Sequence, residues 1–165
     1  MGQAMRRLIL MRHGDAEASG PQGQGDRGRP LSRAGHGSAL RLGQELRARG
    51  LSPDLILSSD ATRAVETLED VVRGGGFTGV PVKTLSILYL ADPETVLDRC
   101  HEVADTVQTL LFIGHNPGWS DAASLLSGNP VGLDTAEAAI LEKVGESWTG
   151  AISDPGLWRL KGIVP

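Results

Sequence analysis

The stretch "LMRHG", residues 10–14, runs two apolar residues directly into an arginine, a histidine and a glycine. Arginine presents a planar fork of N–H donors that matches phosphoryl oxygens, and a neutral imidazole nitrogen can attack phosphorus. The same residue types recur further along the chain. "SSDATRAVET", residues 58–67, carries Arg63, and "GHNP", residues 114–117, carries His115 and Asn116. Two arginines and two histidines, if brought together, describe a phosphate pocket with its own nucleophile. The elements that carry them decide whether they meet.

Residues 8–11, 54–59 and 109–115 are apolar through most of their length and predict buried strands, with a further strand at residues 82–85. Helical periods lie between them. Ala39, Leu42 and Leu46 share a face after a start at Ser32–Arg33, and Gly50 suits the end. Ala61, Ala64, Val65, Leu68 and Val72 repeat at three- and four-residue steps up to Gly74–Gly76. Val96, Cys100, Val103 and Val107 repeat in the same way behind Asp92 as N-cap and Pro93 at the first helical position. A fourth, shorter helix runs from Pro117 to Leu126 and ends at Gly128–Asn129.

This alternation predicts a three-layer α/β/α sandwich with a mostly parallel sheet. Residues 138–144 and 156–164 read as strands without room for a crossover helix, so they should add an antiparallel edge. One domain over residues 1–165 is expected. The carboxyl ends of parallel strands face one edge of the sheet, where open α/β sheets bind ligands. Arg12, His13, Arg63, His115 and Asn116 should converge there, beside helix N-termini whose free N–H groups favour anions.

"LMRHG", "SSDATRAVET" and "GHNP", in that order, resemble the signature segments of the histidine phosphatase superfamily, the phosphoglycerate mutase-like family. Together with the short chain, "RHGDAE" and "RPLSRAG", they look most like the SixA-type phosphohistidine phosphatases. The resemblance implies that His13 is the nucleophile that becomes phosphorylated. It implies that Arg12 and Arg63 hold the phosphoryl oxygens and that His115 donates to those oxygens during transfer, while Asn116 reads first as the cap of the helix opened by Pro117 and second as a phosphate contact. Nearby arginines should keep His13 neutral near pH 7.

Many members of that superfamily place a glutamate after the third strand to protonate the leaving oxygen. The corresponding segment is "LSILYLADPETV", whose Asp92 has a capping role and whose Glu94 lies in a first helical turn. Asp92 and Asp15 are the candidate acids. A phosphoramidate leaving group needs less help than an alkoxide, so the missing glutamate favours phosphohistidine. The expected partner is therefore a histidine-phosphorylated protein, with phosphate as product. The alternatives are a small-molecule phosphomonoesterase and a phosphate-binding module without turnover. A chain of 165 residues leaves little length for a lid, which predicts an open, shallow site. The Gly/Pro-rich loop at residues 18–31 is the one segment expected to be mobile.

Other features point to less. Taken alone, His13 is a polar strand exit, and Arg63 a surface residue pairing with Glu66 or Glu69. "GQGDRG", residues 23–28, fits the dinucleotide pattern but neither follows a strand nor opens a helix. "HEVAD", residues 101–105, lacks the second histidine of a zinc site, leaving His101 on a helix surface, and His36 is expected in solvent. Cys100 belongs to an apolar helix face; Trp119 reads as packing, and Trp148 and Trp158 as edge-strand packing. A net charge of −4 and 4% aromatic residues argue against nucleic acid, and no apolar run reaches the length of a membrane span. A lone cysteine and no signal-like stretch behind Arg6 and Arg7 fit the cytoplasm. No metal or other cofactor is expected, because arginines and histidine already supply positive charge.

Overall fold

Alternate residues of a strand point to opposite faces of its sheet, and the first strand buries both. Leu8 and Leu10 enter one apolar core, Ile9 and Met11 the other. The computed structural model describes residues 4–165. It contains β1 (Met5–Arg12), α1 (Arg33–Ala48), β2 (Leu55–Ser59), α2 (Thr62–Gly75), β3 (Val82–Leu85) and α3 (Pro93–Cys100). Then come β4 (Thr109–Gly114), α4 (Gly118–Ser127), β5 (Ala138–Val144), α5 (Trp148–Ile152) and β6 (Arg159–Val164). The sheet order is β3-β2-β4-β1-β5-β6. β1, β2, β3 and β4 pair in parallel, while β5 runs antiparallel to β1, and β6 to β5.

This is the α/β architecture expected from the sequence, with helices on both faces. Ala39, Leu42 and Leu46 of α1 and Ala64, Leu68 and Val71 of α2 cover the Ile9–Met11 face. Val96 and Cys100 of α3, Trp119 and Leu126 of α4, and Trp148 of α5 cover the other. Among the described residues, no helix is long and apolar enough to cross a membrane.

Three differences from the sequence reading have physical causes. α3 stops at Cys100 rather than continuing to Val107. The N–H groups of His101, Glu102 and Val103 each bond a carbonyl three residues back, so the last turn tightens. Beyond it the buried Arg6 takes the carbonyls of Asp105 and Val107, together with those of Gly145 and Glu146. Residues 148–152 form a short helix, capped where the Ser147 hydroxyl accepts from the Gly150 N–H at 3.0 Å. Trp148 and Trp158 stack at 6.2 Å within the core, not along an edge strand, and each indole N–H reaches a backbone carbonyl.

β4 ends at Gly114, which has no room for a side chain because Trp119 of α4 lies against it: a Cβ there would come within 2.0 Å of the indole ring. Trp119 in turn donates to the Phe112 carbonyl, so the ring has no direction in which to retreat. Gly114→Ala should therefore cost about 1–3 kcal/mol through overpacking. Urea unfolding measures this, and wild-type stability in the variant contradicts the packing argument.

Candidate active site

His13 follows the last residue of β1 and is fixed by its own backbone. Its N–H donates to the Gly114 carbonyl of β4 at 2.9 Å, and its carbonyl accepts from the Ala136 N–H at 2.9 Å. Gly14 must be small because the start of α1 passes beside it, and a Cβ would sit 2.9 Å from the Gly35 carbonyl oxygen. The Gly14 carbonyl lies 2.7 Å from His13 Nδ1. A carbonyl only accepts, so Nδ1 carries the proton and Nε2 is left with its lone pair. That lone pair faces Arg63 Nε at 3.3 Å.

Arg63 reaches the site from the first turn of α2. Its Nη2 also donates to His115 Nδ1 at 3.4 Å, which leaves the His115 proton on Nε2, 2.8 Å from the Ser59 hydroxyl. The two imidazoles stand 5.2 Å apart, with one guanidinium bridging them. Burial is the first cause that lowers both rings below the ordinary histidine value. His13 falls to about 4, with Arg63 and Arg12 adding to the effect, and His115 falls to about 3, with His13 and Arg63 adding to it. Both rings are neutral at pH 7.

Arg12 lies at the end of β1, where Nη1 donates to the Leu133 carbonyl at 3.2 Å. Its Nε is buried and finds no hydrogen-bond partner among the described residues. Asn116 donates to the same Leu133 carbonyl at 2.7 Å and accepts from the Ser120 hydroxyl at 2.7 Å. Its amide thus supports the loop that Arg12 leans on. The Asp15 carboxylate accepts from the Ser32 hydroxyl at 2.7 Å beside α1. Asp92 caps α3 through the Thr95 N–H at 2.8 Å, and the Thr95 side chain first, with that N–H second, holds its carboxyl below the usual range. The structure thus brings together Arg12, His13, Arg63 and His115, sets Asn116 behind them, and keeps Asp15 and Asp92 on separate helix caps.

The loop at residues 18–31 differs most from expectation. It is pinned across the site rather than free. Asp26 accepts from Arg63 Nη2 through its carboxylate at 3.0 Å and from Arg63 Nη1 through its carbonyl at 2.8 Å. The Tyr89 hydroxyl donates to the same carboxylate, and Arg29 Nε donates to its other oxygen at 3.0 Å. Arg27 lies over the Tyr89 ring at 4.3 Å and pairs with Asp60 at 3.1 Å. His13 and His115 are consequently only 7% and 1% exposed, so the site is covered and not shallow. Arg63 pairs with Asp26, while Glu66 accepts from the Leu31 N–H at 2.7 Å. His36 is not simply solvated: its Nδ1 lies 2.6 Å from the buried carboxylate of Asp70.

A family model described as the histidine phosphatase superfamily, branch 1, matches residues 8–88. An uncharacterised chloroplastic protein of Arabidopsis thaliana is 38% identical over 169 residues, covering 96% of this chain and 77% of that protein. The chain belongs to the histidine phosphatase superfamily. Two solved structures extend the likeness over nearly the whole chain. A candidate phosphohistidine phosphatase SixA of Agrobacterium tumefaciens is 28% identical, covers 97% of each chain and superposes with a TM-score of 0.81. Its counterpart from Nakamurella multipartitia, 23% identical over 100% of this chain and 98% of its own, shares the fold with a TM-score of 0.85. The superfamily match spans His13 and Arg63; His115 lies beyond it, on the part that the structural likeness covers.

Four residues of the site escaped the sequence reading: Ser59, Thr67, Asp26 and Tyr89. Ser59 had a signal, a polar pair closing an apolar strand. Tyr89 is the single tyrosine of the chain and sits in the segment inspected for a glutamate. Asp26 lay inside a glycine-rich stretch with no periodicity to place it.

The lowered histidines fix the direction of a pH effect. Above the ordinary value of 6.5, both rings are neutral in the folded and the unfolded chain, and neither makes stability depend on pH. Below 6.5 the unfolded chain takes up protons that the folded chain refuses, down to about 4 for His13 and about 3 for His115. Stability should therefore fall steadily from pH 6.5 towards 4. Asp26 adds its own loss only below its ordinary 3.8, since Tyr89 first and Arg63 next hold it down at about 2. Thermal unfolding midpoints across this window should slope less in a His13→Asn, His115→Asn double variant. Equal slopes would show that the rings are not buried neutral.

Proposed function

We propose that this chain is a phosphatase that passes the phosphoryl group through Nε2 of His13 and acts on phosphohistidine carried by another protein. The observation that carries the reading is the unprotonated Nε2 of His13, held neutral and accepting from Arg63 beside a second buried imidazole. Arg63 and the unpartnered Nε of Arg12 supply donors for phosphoryl oxygens. A phosphoryl dianion next to His115 raises the affinity of that ring for a proton, which it then shares with a phosphoryl oxygen as charge spreads in transfer.

The cycle has two displacements. Nε2 of His13 attacks phosphorus, the bond from phosphorus to the substrate nitrogen breaks, and its electron pair stays on the substrate ring, which carries a proton on its other nitrogen and so leaves as neutral imidazole. Water then attacks phosphorus on the enzyme, the bond to His13 breaks, and inorganic phosphate departs while the proton from water passes to solvent. Asp15 is occupied by the Ser32 hydroxyl and Asp92 by the Thr95 N–H, and an imidazole leaving group makes less demand on a proton donor than an alkoxide. The names of the SixA relatives, candidate phosphohistidine phosphatases, support the same substrate class. The covered site supports a second reading, a small phosphate ester, because walls favour small ligands.

Labelled substrate should trap a phosphoenzyme modified at His13. His13→Ala should lose that label, with turnover falling by about a thousandfold or more. Near-native turnover in His13→Ala would falsify the mechanism. For the substrate, kcat/KM on a histidine-phosphorylated protein should exceed that on sugar and glycerate phosphates, and the reverse ranking selects the second reading. Activity should also persist after exhaustive chelation; loss restored by Mg²⁺ would assign part of the charge stabilisation to a metal.

A further inference from the structure

Four of the five N–H donors of Arg63 are engaged: Nε to His13, Nη2 to His115 and to the Asp26 carboxylate, Nη1 to the Asp26 carbonyl. Its side chain is only 3% exposed. A carboxylate on a guanidinium uses the same donors that a phosphoryl group would use. Two anions cannot share that edge without strong repulsion.

We propose that Asp26 is an internal competitor for the phosphoryl position on Arg63, so that the substrate must unlatch the loop at residues 18–31 before it can reach His13. This rests on the reading of Arg63 as a phosphoryl-binding residue. The loop is built to let go. Gly23 and Gly25 have φ of 85° and 59°, a region that other residues rarely adopt, and open space surrounds both. The ends of the loop are held independently of Asp26, by a bridge between Ala16 and Leu31 and by the Glu17 N–H to the Pro30 carbonyl at 2.8 Å. Release does not strand the carboxylate either, and the incoming phosphoryl group replaces it as the counter-charge of Arg63. Arg29 is bonded to the outer oxygen of Asp26, and both line an open cleft of about 460 Å³ formed by residues 18–29. The carboxylate moves from Arg63 into water with its second cation alongside.

The latch is also weak enough to yield. The Asp26 side chain is 47% exposed, so solvent screens the pair and the contact is modest. If it is open in about one molecule in ten, apparent affinity for a phosphoryl ligand is reduced about tenfold.

Asp26→Asn tests this, because an amide oxygen can still accept from Arg63 and Tyr89 while the charge is gone. Calorimetry with inorganic phosphate should give about tenfold tighter binding to the variant, and aryl phosphate turnover should show a lower KM. Tyr89→Phe removes only the hydroxyl donor to the carboxylate and should tighten binding in the same direction by less. Unchanged or weaker phosphate binding in both variants, with the wild type binding phosphate and turning over, overturns the latch and makes Asp26 a support for Arg63. Absence of phosphate binding and turnover in the wild type itself would instead remove the phosphatase reading, and the latch with it.

Discussion

A positive charge buried between two neutral imidazoles is the constraint around which this molecule is arranged. Arg63 cannot lose its proton, and an unpaired guanidinium out of water is costly. Two imidazole lone pairs alone do not neutralise it. In the absence of a ligand, the counter-charge comes from a loop that is close in space and distant in sequence. The pairing explains two separate facts together: the covered site, and the pinning of a stretch otherwise rich in glycine.

The parallel sheet is what makes such a concentration of donors affordable. β1, β2 and β4 deliver their carboxyl ends to one edge, and the backbone there is already satisfied by the strands themselves. Side chains at that edge are free to face a ligand. The opposite arrangement holds at the other end of β1, where Arg6 gives its donors to four backbone carbonyls. Of these two buried arginines, Arg6 is spent entirely on backbone carbonyls, while Arg63 spans two imidazoles and a carboxylate.

Much of this was legible in the sequence because it is local. A strand that ends in Arg12 and His13 declares itself within five residues, and so do the strand exits at residues 58–63 and 114–117. Parallel topology then makes those three exits neighbours. What stayed hidden depends on long-range partners. Asp26 meets Arg63 across 37 positions and Tyr89 across 63, and no period or motif links them. The end of α3 was hidden for the same reason: the apolar spacing continues to Val107, but Arg6, distant in sequence, anchors the carbonyls of Asp105 and Val107 in the chain beyond the helix. The five residues of α5 are too few to show a period at all.

One hydroxyl sets how the site responds to thermal motion. Thr67 Oγ1 accepts from the Gly14 N–H at 3.0 Å and donates to the Arg63 carbonyl at 2.6 Å. The segment bearing one imidazole and the turn bearing the guanidinium are therefore tied to a single atom. When α2 slides or rocks against the sheet, both move with it, and the displacement is common-mode: the gap between them hardly changes. Fluctuations of the fold are thus filtered out of the distance between the His13 segment and Arg63, while the glycine-rich loop, held to Arg63 through Asp26, follows the same turn.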